Sequence, residues 1–258
     1  MAHAQESGHW YDPKTGTPVW EVPGANGKAV TPDIRHARKF GLVPGVTSII
    51  KCAAAPGLQR WRELQVLLAA LTLSLIEGES EDAYLARIMR DSQEQAKKAA
   101  ERGTAIHAAI QEYFEDRQPS GQFDDYIDHV LGTEEAVRAW AGNEVRWVAE
   151  ESFAHPVGFG GKTDLHSTVF VLDFKTKEFD ANTKLDTYDE HHMQLAAYRE
   201  GLGMPTARCA IVYVSVTVPG LAVVKEISEP DLQRGWACFQ ALLAFWKAKN
   251  RILTGETK

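Results

Sequence analysis

Asp164, Asp173 and Lys175 fall in a single stretch, Gly160 to Phe179, that reads GGKTDLHSTVFVLDFKTKEF. Two acids and a lysine gathered at one point can do phosphodiester chemistry. Hard carboxylate oxygens hold Mg²⁺, which polarises a phosphate oxygen and lowers the pKa of a bound water. A lysine two residues after one of those acids can orient the attacking water or neutralise the charge that develops on the phosphate. An ion pair at a strand end uses the same residue types, so this pattern alone leaves both readings open.

Further residues could join the group. Glu150 and Glu151 close an alternating apolar strand upstream, and one of them can add a third carboxylate. His107 follows Gly103 on a helix continued by Ile110, Tyr113 and Phe114 and shares its packed face, as a core histidine or a ligand would. Gln194 and Tyr198 lie four apart on one helical face and can donate to phosphate oxygens. Lys97, Lys98 and Arg102 stand about one to three turns before His107, and Lys175, Lys177 and Lys184 form a second basic group that ordinary solvated faces would also explain. Two competing motifs are weaker. Gly161-Lys162-Thr163 resembles the end of a phosphate-binding loop, but Pro156 stands where its first glycine belongs and a strand follows instead of a helix. Asp186, Asp189, Glu190, His191 and His192 read as the acidic first turn of a helix.

The elements that must position these residues follow from periodicity. Val169 to Phe174 is close to continuously apolar, as a strand covered on both faces is, and alternation puts Val171, Asp173 and Lys175 on one face. His166-Ser167-Thr168 is a tight connection to a preceding strand, Gly161 to His166, which brings Asp164 near Asp173. Further strands are expected over Val145–Phe153, Cys209–Val218 and Leu221–Ile227. Helices are expected over 47–53, 57–77, 80–117, 133–142, 186–201 and 230–251, with Gly78 a break and Pro119, Ser120 and Gly121 a stop. Residues 1–45 hold five of the eleven prolines and six of the twenty glycines and read as an irregular arm with a short hairpin near Trp10 to Trp20. Residues 46–258 then form one domain, with a helical lead-in over 46–118 and a sheet core over 143–258. The order implies an α/β or α+β fold with a mixed central sheet.

In chain order, Gly103-x-x-x-His107, Glu151-Ser-x-x-His155-Pro, Gly161-x-x-Asp164, Asp173-x-Lys175-Thr176 and Gln194-x-x-x-Tyr198 resemble the RecB-type branch of the PD-(D/E)xK nucleases, with its phage-type and mitochondrial genome-maintenance exonucleases. The resemblance spans roughly residues 100–200 and extends more weakly to Val46–Trp61. It implies that His107, Glu151, Asp164 and Asp173, with the backbone carbonyl of Phe174, surround Mg²⁺ or Mn²⁺, and that Lys175 is the catalytic lysine. Gln194, Tyr198 and Thr176 would contact DNA, with Lys97, Lys98 and Arg102 as a basic approach. The implied activity is a metal-dependent DNA exonuclease of recombination, repair or phage-type DNA degradation, with a recombination or single-strand-binding protein as a further expected partner. An endonuclease of the same chemistry and a binding domain without cleavage are the alternatives. Thr163 replaces the proline of the superfamily name, and the three cysteines, Cys52, Cys209 and Cys238, are too few and too scattered for the four-cysteine iron-sulfur cluster of some relatives.

Composition is compatible with this. The chain has 258 residues, 44% hydrophobic and 24% charged, which suits a globular domain with a sizeable core. Its formal charge of −7 argues against a polyanionic partner taken alone, but acids gathered around a cation contribute to that total. An odd cysteine count and the absence of a signal-like start or a long apolar run lead to the expectation of a cytoplasmic protein with no membrane span.

Overall fold

The computed structural model of the chain describes residues 9–53, 56–115 and 121–252. Its N-terminal half contains β1 (Trp10–Tyr11), β2 (Val22–Pro23), β3 (Ala29–Val30), α1 (Ile34–Phe40), β4 (Val43–Pro44), α2 (Val46–Ile50), α3 (Pro56–Thr72) and α4 (Glu81–Phe114). Next come α5 (Gly121–Asp125), α6 (Ile127–Ala141), β5 (Val148–Ala149), β6 (Ser152–His155), β7 (Phe159–Lys162), β8 (Leu165–His166) and β9 (Phe170–Lys177). The chain continues through α7 (Asp189–Gly201), β10 (Arg208–Ser215), β11 (Ala222–Ile227) and α8 (Glu229–Lys249).

A five-stranded sheet in the order β11-β10-β9-β8-β5 is the centre of the α/β fold. It is mixed: β9 and β10 run parallel, joined by a crossover through α7, and the other neighbours are antiparallel. Period-2 alternation serves two cores. Val171, Cys209, Ile211 and Tyr213 pack on α7 and α8. Leu172, Phe174, Ala210, Val212 and Val214 pack on Ile106 and Ile110 of α4 and Val130 and Val137 of α6. Central strands with both faces covered read as near-continuous apolar runs, which is why β9 and β10 stand out in the sequence.

Several boundaries differ from expectation. The strand expected over Val145–Phe153 is two, β5 in the main sheet and β6 in a separate pair with β7, and Gly161–His166 likewise divides into β7 and β8. The break falls at Glu150, whose φ of 58° lies in the left-handed region that a non-glycine residue seldom adopts. Strand β9 continues to Lys177, so Asp173 and Lys175 lie inside it and not at its end. Helix α6 starts at Ile127, ahead of the expected 133. Gly121 begins α5, while Pro119 and Ser120 lie outside the described residues.

The expected short hairpin near Trp10–Trp20 is present as an antiparallel bridge between Tyr11 and Pro18, with the Val19 N–H donating to the Trp10 carbonyl at 2.8 Å and the Asp12 N–H to the Thr17 carbonyl at 2.9 Å, and β1 pairs with β4 as well. Of the described residues before 46, Trp10, Val22, Ala37 and Leu42 join the core that holds α7 and α8. The ring of Tyr11 lies where a Cβ on Gly160 would come within 2.6 Å of it, so only glycine lets the N-terminal segment seat on β7.

Candidate active site

Strand β8 is only two residues long, and its pairing with β9 ends at Leu165↔Leu172. Beyond that point the backbone of Phe174 needs other partners, since a buried N–H or C=O is costly when unpaired. Side chains supply them. Asp164 Oδ2 accepts the Phe174 N–H at 2.7 Å, and His107 Nε2 donates to the Phe174 carbonyl at 2.8 Å. A carboxylate, an imidazole and a carbonyl oxygen therefore meet where the sheet edge opens.

Strand register adds two more acids. Carrying the β8–β9 pairing one step on sets Asp164 opposite Asp173. The β5–β8 and β6–β7 pairings share one register, Ala149↔Leu165 and Ser152↔Lys162, so these four strands are one long bent hairpin with Glu150 opposite Asp164. Glu150 N–H donates to the Asp164 carbonyl at 3.1 Å, and Thr163 N–H to that of Glu151 at 2.9 Å. Opposed residues face the same way. Glu150 thus lines the cavity with Asp164 and Asp173, while Glu151 is exposed and outside it. This corrects the expectation for Glu151: the left-handed turn at Glu150 rotates the chain by one position.

Helix α7 holds the far wall. Gln194 Nε2 donates to Asp173 Oδ1 at 2.8 Å and to Tyr198 Oη at 2.9 Å, while Gln194 Oε1 accepts from Lys175 Nζ at 3.2 Å. Lys175 Nζ stands 2.5 Å from Asp173 Oδ2. Gln194 and Tyr198, both buried, therefore reach the cavity but spend their polar groups on fixing Asp173 and Lys175. Asp173, 2% exposed, has its carboxyl pushed up by burial, an effect that Lys175 opposes and Asp164 reinforces. Burial pulls the Lys175 ammonium down, but Asp173 and Asp164 outweigh it and hold it above its usual value. Lys175 therefore remains a cation. Glu150 is raised chiefly by burial, against the pull of Lys162, with which it forms an ion pair.

Helix α4 closes the cavity from the other side. Gly103 makes a close approach there, since a Cβ would lie 2.6 Å from Thr176 Oγ1, and His107 reaches Phe174 one turn later. The cavity of about 450 Å³ brings together His107, Glu150, Asp164, Asp173, Phe174, Lys175, Thr176, Gln194 and Tyr198. It does not include Lys97, Lys98 or Arg102. On α4, Ala100, Gly103, Thr104, His107 and Gln111 form the lining stripe. Helical spacing carries Lys97 beside that stripe and puts Lys98 and Arg102 on the opposite side. Sequence reasoning missed Lys162, His9, Thr47 and Lys51, which also line the cavity. The pairing of β1 with β4 and the Gly45↔Gly160 bridge bring the last three in from the N-terminal segment. Such non-local contacts leave no local signal, whereas Lys162 could have been found by its period-2 spacing from Asp164.

The donor set is of the type that a hard divalent cation takes: three carboxylates, a carbonyl and an imidazole. Among the described residues no three His, Cys, Asp or Glu side chains stand close enough to form a ready-made cluster. Lys162 and Lys175 pair with Glu150 and Asp173, and Asp164 accepts the Phe174 N–H.

No protein-family model matches the chain, and no curated protein matches it. Among solved structures it is similar to a candidate exonuclease from Eubacterium rectale, at 14% identity over 59% of this chain and 69% of that one, with a TM-score of 0.42. It is also similar to SSO0001, at 18% identity over 55% of this chain and 73% of that one, with a TM-score of 0.30. Overlays this loose assign the chain neither a family nor an activity. Among the described residues, no helix is long and apolar enough to cross a membrane.

Proposed function

We propose that this chain is a metal-dependent deoxyribonuclease of the RecB-type PD-(D/E)xK kind, acting from DNA ends. The observation that carries the reading is the row Glu150, Asp164 and Asp173 across adjoining strand positions, with Lys175 2.5 Å from Asp173 inside one cavity. A plain ion pair needs neither three acids nor a carbonyl and an imidazole lining the same cavity. A divalent cation could take these carboxylates once Lys162 and Lys175 shift from Glu150 and Asp173.

Asp164, Asp173, Glu150, His107 and the Phe174 carbonyl would hold Mg²⁺ or Mn²⁺, which supplies Lewis acidity toward a phosphate oxygen and a more acidic water. The protein's own groups do the rest. Lys175, held protonated by two carboxylates, neutralises charge developing on the phosphate and is unsuited to act as a base. Gln194 and Tyr198 position Lys175 and Asp173 through the 2.8–3.2 Å bonds between them. Lys51, exposed on the rim beside Thr47, and Lys97 beside the α4 lining stripe supply positive charge where a phosphate backbone would enter.

Incubation of the purified chain with end-labelled linear DNA and with closed circular DNA, with Mg²⁺ and with EDTA, tests the reading. Mg²⁺-dependent loss of label from linear DNA, with circles left intact, is the expected result. Fragmentation of circular single strands would favour the endonuclease, and no cleavage of any substrate by a chain that binds DNA would favour a binding domain.

A further inference from the structure

Helix α3 is apolar on two opposite sides. One side, with Ala69 buried, packs on α4 around Ile88, and Tyr84 Oη donates to the Leu73 carbonyl at 2.7 Å to fix the pair. On the other side Trp61, Leu64, Leu68 and Leu71 recur at intervals of three and four, the spacing of a helix seam, with Leu67 beside them. These side chains face solvent, from 39% exposure for Trp61 to 83% for Leu71. Leu75 continues the surface just past the helix. The packed side is already used, so the leucine stripe is a second, unfilled interface and not a core turned outward.

From this surface we infer that two copies of the chain associate through α3, antiparallel, to form a dimer. Trp61, Leu64, Leu67, Leu68, Leu71 and Leu75 together expose roughly 600 Å² of largely apolar surface, close to the ~800 Å² that each partner of a stable complex covers. An isologous pair presents the same patch to itself, so an apolar seam is self-complementary. Charge fixes the direction. Leu64 to Ile76 contains no charged residue, and Arg60, at the start of α3, is the charge that helical spacing brings onto the leucine side. Parallel copies would set Arg60 against Arg60. Antiparallel copies bring Arg60 to the carbonyl end of the partner helix, near Glu77, which favours a cation.

The test is the mass of the full chain in solution, by sedimentation equilibrium between 0.1 and about 50 µM, for the wild type, Leu68→Glu/Leu71→Glu, and Leu131→Glu. Leu131 is an equally exposed leucine on α6 and serves as the control. The wild type and Leu131→Glu should reach twice the 28.6 kDa chain mass, while the double variant stays at the single mass. Its circular dichroism and thermal midpoint, extrapolated to low concentration, should match the wild-type monomer, because the replaced side chains face solvent in one copy. A monomeric wild type overturns the proposal, whether or not it pellets with anionic phospholipid vesicles; pelleting would identify a membrane surface as the occupant instead. A dimer that survives the double substitution also overturns it and locates the interface elsewhere.

Discussion

Glu150 donates its backbone N–H to the carbonyl of Asp164 at 3.1 Å, and that bond decides which of two adjacent glutamates faces the cavity. Residues opposed across an antiparallel pair point the same way, so Glu150 joins Asp164 and Glu151 turns out to solvent. In the proposed nuclease, Glu150→Gln should reduce Mg²⁺ affinity and turnover at least tenfold, whereas Glu151→Gln should change either by less than twofold. Cation titration by calorimetry alongside cleavage rates makes the comparison. Loss confined to Glu151→Gln would restore the assignment suggested by sequence.

Lys175 is expected to act only as charge develops. Lys175→Ala should lower kcat by about 10²- to 10³-fold, the usual cost of removing one donor aimed at a developing charge, with cation and DNA affinity nearly retained. Single-turnover rates together with binding isotherms separate the two. Gln194→Ala, which frees both Lys175 and Asp173, should give a smaller loss in the same direction.

His107 Nε2 is bonded to the Phe174 carbonyl at 2.8 Å. Removing that bond lowers the metal-free thermal midpoint in either role, since an unpaired buried carbonyl costs about 1–3 kcal/mol. If His107 is also a ligand, His107→Ala weakens Mg²⁺ binding as well, and if it serves only to cap Phe174, Mg²⁺ affinity is retained. The Mg²⁺ titration distinguishes the roles.

Acid should destabilise the fold in a defined window. Burial is the main cause that brings His191 down from 6.5 to about 4, and it lowers His192 and His129 as well. A depressed histidine pKa means that the unfolded chain takes up the proton first. Stability from this source is therefore complete above about 6.5 and is lost as pH falls toward about 4, on the order of 3 kcal/mol for His191 alone. The raised carboxyls of Glu150 and Asp173 act with the opposite sign, so the measurement is the difference between wild type and His191→Asn. The wild type should lose more of its thermal midpoint between pH 7.5 and pH 4.5 than the variant does. Equal losses would remove His191 from the account.

Lys97 and Lys98 differ in placement by one residue and in effect by a helix face. Lys97→Glu should weaken DNA binding and flatten its salt dependence, because Lys97 lies beside the lining stripe of α4, while Lys98→Glu should do so far less. Equal effects in a salt series would mean that DNA lies across the whole helix and not along the cavity.

The sequence by itself determined the buried strands β9 and β10, the helices α4, α7 and α8, and the nearness of Asp164, Asp173 and Lys175, all of which depend on periodicities of 2 or 3.6 within one element or across one short turn. That Gln194 and Tyr198 join this group is suggested only by the family resemblance, since their contact with Asp173 and Lys175 crosses from α7 to β9. The sequence could not determine what depends on contacts between distant segments. The choice of Glu150 over Glu151 rests on a left-handed turn and a register that becomes visible only when β5 to β8 fold as one bent hairpin. The arrival of His9, Thr47 and Lys51 at the cavity depends on β1 pairing with β4 and on Tyr11 seating over Gly160, far away in the chain. Lys98 and Arg102 lie near His107 in sequence but on the other side of α4, which helical spacing already decides; that the His107 face is the one packed against β9 is what only the tertiary structure decides. Local spacing fixes which side chains share a face; which face meets the cavity is set by long-range burial, and no window of sequence contains it.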